Sequence, residues 1–369
     1  MYIKILLRCS IPYASTGVVF NSILKAFQNR GIDITTQSTE DRKERIELWI
    51  GPCGTWCHDL PRTSKSVIGW DFTESPRFSD KGFHKTNAGI IGVDLIICTG
   101  NTSARKYRTS VYDIPILISP FGVDTTLFKY IERDFNIDPF TFLHFATGTR
   151  KGTNFVIEAF KQVVTIRPNS SLHIRYYKTP HLPNGTTAQN TISGVLALNT
   201  PNLTCSYYPH NNSDRNEAFG LYKDYHCLLA PSYEEGWGTC ITEAMATGLP
   251  VITTKNSIMR EYFSSKFGWW VDITDQYLPA YELFKCSGQI PIPDTNSLVN
   301  NMLSAIDNRE LCSKKGRAGS NYVNNYLTWE HSIDRILPLL QTITDKGISE
   351  VVNIINANPV KYNYPYISF

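Results

Sequence analysis

Short apolar runs separated by polar or glycine-containing stretches recur along the chain, and they predict a series of buried strands. A brief apolar run bounded by turn residues is typical of a parallel strand that is covered on both faces. Helical patterns follow several of these runs, so that strand and helix alternate as in α/β proteins with parallel sheets. The predicted strands span residues 2–8, 46–50, 67–70, 93–98, 116–118, 143–146, 173–177, 203–208, 227–230 and 251–254.

Apolar residues at helical spacing predict the helices between these strands. One helix follows the first strand and ends near Gly31, and another ends before Pro168, because glycine and proline both stop helices. The later part of the chain shows helical periodicity around 298–306 and 329–340. The apolar positions of the earlier helices are Val18, Val19, Ile23, Leu24 and Phe27 in the first, Phe155, Ile157, Ala159, Phe160 and Val163 in the second, and Phe219, Leu221 and Tyr222 in a third.

The stretch 227–254 contains the clearest unit, which is a strand, a loop, a short helix and a second strand. Thr239 is a candidate N-cap, Gly248 supplies a left-handed stop and Pro250 forbids continuation, which predicts a helix over roughly 240–247. In open parallel sheets, ligands bind beyond the carboxyl ends of the strands. The loop before the helix is therefore the candidate site, and it contains Glu235, Gly236, Trp237 and Gly238.

The chemistry of this loop suits a nucleotide sugar. Its glycines allow the backbone to approach a ligand closely, and the amides of Gly238, Thr239 and Cys240 at the helix start form an anion-binding end. Glu235 and Glu243, with seven residues between them, flank that phosphate position and can accept hydrogen bonds from hydroxyl groups. The alternative is an ordinary βαβ unit in which the glycines make a tight turn and both glutamates face solvent.

The same stretch resembles the signature of the retaining family 4 glycosyltransferases. In that family, two glutamates with this separation lie in a context of Pro-Ser, Glu-Gly-aromatic-Gly and Glu-Ala-Met-Ala-x-Gly-x-Pro-Val. The resemblance implies the GT-B architecture, in which two Rossmann-like domains face a cleft, and transfer of a hexose from a nucleotide sugar with retention of configuration. The matching residues are Pro231, Ser232, Glu235-Gly236-Trp237-Gly238, Glu243-Ala244-Met245-Ala246, Gly248 and Pro250-Val251.

A second segment of the resemblance follows the strand 143–146. Arg150, Lys151 and Gly152 match the family's diphosphate clamp, in which the arginine often lies several residues before the lysine. Positioned basic groups and a helix start can stabilise a departing diphosphate without a metal ion. Gly148, in the same loop, is assigned to donor binding. The alternative is that Arg150 and Lys151 are two exposed basic residues in a turn.

The first part of the chain matches the family more loosely. Thr16 and Gly17 follow the first strand, where family members often carry two adjacent glycines near the donor phosphates and the acceptor. Asp71 and Glu74 follow the strand 67–70, where several members present a residue to the reacting sugar. Glu74 or Asp71 is therefore a candidate to contact sugar hydroxyls or to accept the acceptor proton, and a carboxylate at a helix start is the alternative.

The segment 119–124 resembles the family's Asn-Gly-Val-Asp linker, with Phe121 in place of the asparagine and Phe128 following. We therefore expect a small acceptor-side domain over 1–120 and a nucleotide-sugar-binding domain over 121–345. The tail, 346–369, is expected to return to the first domain. The resemblance also places the nucleotide base near the end of the strand 203–208, which makes His210 a candidate contact.

Composition sets limits on these expectations. A chain of 369 residues is long enough for two domains, and a net charge of +3 demands neither nucleic acid nor a membrane surface. The nine cysteines are scattered, which favours free thiols in a reducing compartment. The spacing of Cys53, Cys57 and His58 gives a metal or redox site as the alternative. No apolar run approaches the length of a membrane span, and the start of the chain is too short and charged for a signal peptide. We expect a cytoplasmic protein, soluble or peripheral.

The residues and the resemblance together predict a metal-independent retaining transferase without a cofactor. Its donor is expected to be UDP- or GDP-linked, and its acceptor a glycan, a glycolipid or another hydroxyl compound, with peripheral membrane contact as an option. Three alternatives stay open: a transferase acting on modified bases in nucleic acid, a sugar-nucleotide epimerase, and a non-catalytic binding protein. The predicted site comprises Glu235, Arg150, Lys151 and Glu74 for catalysis, Gly17, Gly148, Gly236, Trp237, Gly238, Thr239, Glu243 and His210 for the donor, and Asp71 and Thr16 on the acceptor side.

Overall fold

The computed structural model describes most of the chain, and three predicted site residues, Glu74, Gly148 and His210, lie outside the described residues. Cys53, Cys57 and His58 also lie outside them. Within the described part, two six-stranded sheets and one two-stranded sheet are formed. The described ranges are 3–9, 14–37, 41–51, 64–72, 92–108, 114–146, 149–177, 195–196, 198–208, 220–280 and 288–357.

The first sheet is parallel throughout and has the strand order β2-β1-β3-β4-β5-β6. Its central strands are almost wholly buried, which explains why they appear in the sequence as continuous apolar runs. The strands are β1 (Lys4–Cys9), β2 (Asp33–Thr35), β3 (Ile46–Ile50), β4 (Ser66–Asp71), β5 (Leu95–Cys98) and β6 (Ile116–Ile118), and the helices are α1 (Ala14–Gln28) and α2 (Asn101–Arg108).

Helix α1 corrects one local prediction. It begins at Ala14, so Thr16 and Gly17 lie in its first turn and not in a loop before it. The end of the helix is as predicted, because Gly31 follows it with a left-handed φ of 67°. Gly17 is therefore a residue of the helix itself.

The second sheet is also parallel and has the order β12-β11-β10-β7-β8-β9. This is the doubly wound order of dinucleotide-binding folds. An antiparallel hairpin follows it. The elements are β7 (Phe140–Ala146), α3 (Thr153–Ile166), β8 (Ser170–Tyr177), β9 (Leu203–Tyr208), β10 (Cys227–Ala230), α4 (Thr239–Ala246), β11 (Val251–Thr254), α5 (Met259–Tyr262), β12 (Gly268–Val271), β13 (Ile273–Pro279), β14 (Gln289–Pro293), α6 (Thr295–Asp307) and α7 (Arg309–Tyr326).

Two final helices, α8 (Trp329–Lys346) and α9 (Ile348–Ala357), bring the chain back to the first sheet. Helix α8 lies against α1 and β3, and α9 packs on α8. The Arg30 guanidinium, in the turn after α1, donates to the Asp334 carboxylate of α8, with Nη2 and Oδ2 2.6 Å apart. No helix among the described residues combines the length and the apolar character needed to cross a bilayer.

The chain crosses between the two sheets twice, at adjacent places. The outgoing segment contains Val123, whose amide donates to the Leu327 carbonyl of the returning segment over 2.8 Å. The rings of Phe121 and Trp329 pack beside this crossing with centroids 5.3 Å apart, and Trp70 of β4 lies 5.8 Å from Phe121. The two Rossmann-like units therefore share a buried aromatic junction, and the predicted fold class is confirmed.

Candidate functional site

The predicted loop lies where the second sheet reverses its strand order. β7 and β10 are neighbours, but β8 continues on one side and β11 on the other. The loops after β7 and β10 therefore diverge and open a crevice at the carboxyl ends of these two strands. This is the usual ligand position in such sheets. The two loops stay joined at their base, since the Tyr233 amide donates to the Arg150 carbonyl over 2.9 Å. Arg150 and Lys151 are thereby brought to the glutamate loop.

The start of α4 differs from the prediction by one residue. Gly238 is the N-cap, with a left-handed φ of 81°, and Thr239 is the first helical residue and not the cap. A side chain at position 238 would be strained in this conformation, and its Cβ would lie 2.9 Å from the Tyr262 hydroxyl. The predicted stop is confirmed, because Gly248 follows the helix with a φ of 78°. No side chain caps the start of α4, so no side chain accepts a capping hydrogen bond from its first amides.

Glu235 forms a buried ion cluster with both predicted clamp residues. Its carboxylate lies 2.8 Å from Arg150 Nη1 and 2.5 Å from Lys151 Nζ, and it also accepts from the Ser232 hydroxyl over 2.7 Å. Burial by itself raises the pKa of this carboxyl, but the charges of Arg150 and Lys151 outweigh it and hold the pKa well below the usual value. The three charged groups carry one net positive charge, which suits a polyanion.

Glu243 has a different environment on the second turn of α4. Its Oε2 accepts a hydrogen bond of 2.6 Å from the Tyr222 hydroxyl. Burial raises the pKa of Glu243 to about 7, and the Tyr222 bond opposes that rise. The sequence predicts Tyr222 only as an apolar helix position, but it lies in a bend, 21 residues before Glu243. No local pattern in the sequence could reveal this pairing.

Trp237 and Gly236 make contacts within the protein at the back of the loop. Trp237 is 3% exposed, its ring lies 4.5 Å from the Tyr262 ring, and its carbonyl accepts from the Tyr262 hydroxyl over 2.8 Å. The Gly236 carbonyl accepts from the Thr99 hydroxyl of the first unit over 2.6 Å. In this structure, therefore, the indole of Trp237 supports the loop from behind and is not open to the crevice.

A small cavity lies beneath the two loops, and a neutral histidine borders it. His144 is buried, with Nδ1 2.8 Å from the Leu229 carbonyl and Nε2 2.9 Å from the Thr153 hydroxyl at the start of α3. Burial lowers the pKa of His144 to about 4, so the ring is neutral at physiological pH and ties α3 to β10. The cavity is lined by His144, Phe145, Lys151, Leu228, Leu229, Ala230, Ser232 and Cys240.

Of the acceptor-side candidates, only Asp71 has a described side chain. Asp71 is the last residue of β4, at the predicted carboxyl edge, but its side chain is fully buried. The side chain of Thr16 lies outside the described part of the chain. Within that part, no group of three or more His, Cys, Asp and Glu side chains is arranged to hold a metal ion.

The segment that contains these loops matches a known family. Residues 135–278 match the family model described as glycosyl transferases group 1. The D-inositol 3-phosphate glycosyltransferase of Pseudarthrobacter chlorophenolicus is 25% identical, in an alignment that covers 62% of this chain and 55% of that protein. The chain thus spans about half the length of this curated relative. Arg150, Lys151, Glu235 and Glu243 all lie inside the matched segment.

Solved structures share the fold over nearly the whole chain. Sucrose-phosphate synthase from Thermosynechococcus elongatus gives a TM-score of 0.70 at 13% identity, covering 92% of this chain and 99% of that one. HepE from Anabaena, in complex with UDP and glucose, gives 0.65 at 12% identity, covering 92% of this chain and 100% of that one. These likenesses confirm the GT-B arrangement of the two units.

Proposed function

We propose that the chain is a retaining glycosyltransferase that moves a hexose from a nucleotide diphosphate sugar to a hydroxyl acceptor. The observation that carries the proposal is the meeting of Arg150, Lys151 and the uncapped start of α4 at one crevice, with a glutamate on either side of that helix start. Basic side chains and free helix amides bind phosphate groups, whereas carboxylates accept hydrogen bonds from hydroxyls. A nucleotide sugar presents both kinds of group.

Each charged residue has a proposed role. Arg150 and Lys151 neutralise the diphosphate as it leaves, and they supply this charge without a metal ion. The diphosphate competes with Glu235 for Arg150 and Lys151. The carboxylate of Glu235, released from these two cations, then binds hydroxyls of the donor sugar. Glu243 binds the ribose hydroxyls, held in place by Tyr222. The match to group 1 transferases and the UDP bound in the similar HepE structure support this choice of donor.

The proposed chemistry is displacement on one face of the sugar. The bond between the anomeric carbon and the β-phosphate oxygen breaks as the acceptor oxygen forms its bond on the same face. The acceptor proton passes to the departing phosphate oxygen, so no protein base is required. The configuration at the anomeric carbon is thereby retained. Positioned charges at the leaving group are worth roughly 2.7–4 kcal/mol of barrier per group.

The proposed acceptor side lies on the first sheet. Asp71 is the last residue of β4 and lies at the carboxyl edge of the first sheet. Together with Glu74 and Thr16, it is our candidate to contact a glycan, a glycolipid or another hydroxyl acceptor, whereas Gly17 is proposed for the donor. We propose a cytoplasmic location, soluble or peripheral to a membrane. The relative named for D-inositol 3-phosphate is consistent with a polyhydroxylated acceptor.

Titration calorimetry with UDP and GDP tests the two glutamates, because they should respond in opposite directions. Glu243→Gln should weaken binding of the matching diphosphate by about 10- to 100-fold, since a charged hydrogen bond is worth roughly 1.5–3 kcal/mol. Glu235→Gln should strengthen that binding, because it releases Arg150 and Lys151, and yet it should lower turnover about 100-fold. Equal losses in both variants, or no binding of either nucleotide to the wild type, would contradict the proposal.

Turnover measurements test the chemistry. Lys151→Ala should lower kcat about 100-fold or more, whereas Lys161→Ala, which removes an exposed lysine paired with Glu158 on α3, should leave it unchanged. NMR of the product should show the anomeric configuration of the donor, and EDTA should have no effect. An inverted product would refute retention. Conversion of the donor without an acceptor would indicate an epimerase, and binding without turnover a non-catalytic protein.

A further inference from the structure

A carboxylate of the second unit caps a helix of the first unit. Both oxygens of Glu261, on α5, accept from the start of α2. Oε2 lies 2.7 Å from the Asn101 amide, and Oε1 lies 2.6 Å from both the amide and the hydroxyl of Thr102. A negative charge at a helix start is also favoured by the helix dipole. The contact therefore joins two parts of the chain that are about 160 residues apart.

The local sequence of α2 does not satisfy these amides. The residue before the helix is Gly100, which has no side chain to act as a cap. The nearby Ser103 hydroxyl bonds to the amide and the carbonyl of Gly100 instead. A Cβ at position 100 would lie 2.3 Å from Ile258 Cδ1 and 2.6 Å from Glu261 Oε2, so a side chain there would displace Ile258 and Glu261 from their present positions. The start of α2 is thus shaped for a partner from the second unit.

Helix α5 reaches the donor loop on its other side. The residue after Glu261 is Tyr262, whose hydroxyl donates to the Trp237 carbonyl over 2.8 Å and whose ring packs on the indole. A second bridge runs in parallel, because the Thr99 hydroxyl donates to the Gly236 carbonyl over 2.6 Å. The one-turn helix α5 therefore connects the Glu235-Gly236-Trp237-Gly238 loop with the start of α2.

We propose that Glu261 is a positioning residue, which fixes the first unit against the donor loop for sugar transfer and takes no part in nucleotide binding. This inference rests on the proposed function. The charged groups assigned to the nucleotide, namely Arg150, Lys151 and Glu243, all lie in the second unit. The acceptor must be presented by the first unit. A contact that sets the distance between the units acts on the transfer step, because small displacements of reacting groups cost large factors in rate.

The experiment compares Glu261→Ala with Glu310→Ala. Glu310 also lies in the first turn of a helix, α7, but it is exposed. In Glu261→Ala, the dissociation constant of UDP or GDP should stay within about twofold, and kcat should fall about tenfold or more. Hydrogen exchange of the Asn101 and Thr102 amides should become faster, and small-angle scattering should report a larger radius of gyration. The Glu310 variant should match the wild type in every measurement.

A second variant tests the same contact from the side of α2. Thr102→Val removes only the hydroxyl bond, and its effect on kcat should largely disappear in the Glu261→Ala background, since both act through one contact. Unchanged kcat and amide exchange in Glu261→Ala would overturn the proposal, and so would a loss of nucleotide affinity as large as the loss of rate. A wild type that binds no nucleotide would refute the proposed function. Hydrogen exchange and scattering need no substrate, so they would still test whether Glu261 holds the two units together.

Discussion

At the scale of single residues, two glutamates with seven residues between them, one in the loop and one in the helix after it, have opposite electrostatic environments. Two cations hold Glu235 ionised, whereas burial favours the neutral form of Glu243 near physiological pH. The resemblance predicts both residues and both clamp cations. It does not predict the contacts of Tyr222, Thr99 or Glu261. Each of these side chains bonds to a residue far away in the sequence, and such contacts follow no local sequence pattern.

The environment of Glu243 predicts a pH dependence of nucleotide binding. Its pKa in the folded protein is raised to about 7, so the acceptor form of the carboxyl is lost as the pH falls through 7. UDP or GDP affinity should therefore rise between about pH 6 and 8. Tyr222→Phe removes the bond that lowers this pKa, so the midpoint should move to higher pH.

Calorimetry at a series of pH values measures this midpoint. Glu243→Gln is the control, because it keeps the shape of the side chain but cannot ionise, and it separates the protein's contribution from titration of the phosphate. If the Gln variant retains the same pH dependence as the wild type, Glu243 is not its source.

At the scale of elements, the structure shows why some helices escaped prediction. Most strands appear where their apolar runs predict them, and β3, β6, β9, β10 and β11 match to the residue. Helix α2 is polar and is capped from the other unit, so its own sequence contains no start signal. Helix α7 buries Gly316, Gly319 and Ser320 in place of large apolar residues, which removes the periodicity on which prediction depends.

The buried face of α7 gives a matched pair of substitutions. A Cβ at Gly316 would lie 2.0 Å from the Gly248 carbonyl oxygen, whereas a Cβ at Gly319 would lie 3.5 Å from the Met245 side chain. Gly316→Ala should therefore destabilise by about 1–3 kcal/mol through overpacking. Gly319→Ala should be neutral or gain up to about 1 kcal/mol from helix propensity. Urea denaturation of both variants checks this, and equal midpoints would contradict the close approach of α7 to the end of α4.

At the scale of the whole molecule, the alternation of strands and helices is enough to predict two Rossmann-like units. The return of α8 is harder to predict, because an amphipathic helix has the same sequence pattern whichever unit it covers. The domain limits at 120 and 345 stay predictions, and α8 already contacts α1 before the second of them. The family 4 assignment and retention also stay predictions, whereas the match over 135–278 supports a group 1 transferase domain.

The aromatic junction predicts a stability difference between two neighbouring residues. Trp329 is 4% exposed and packs on Phe121 and Trp70, whereas Tyr326 is 61% exposed. Trp329→Ala should lower the free energy of unfolding by about 3–5 kcal/mol, as for other buried aromatic residues. Tyr326→Ala should change it by less than about 1 kcal/mol. Thermal melts followed by near-ultraviolet circular dichroism would measure both, and a similar loss in the two variants would refute a packing role for the junction.

The paired crossing of Val123 and Leu327 has a consequence for making hybrid enzymes. Since the chain leaves the first unit and re-enters it at adjoining points, that unit is assembled from two separate stretches of sequence. Grafting only the leading stretch from a homologue would set a foreign α1 against the native α8 and break the Arg30–Asp334 pair. A chimera intended to exchange acceptor preference should therefore carry over the stretch before Val123 and the stretch after Leu327 together, and leave the residues between them in place.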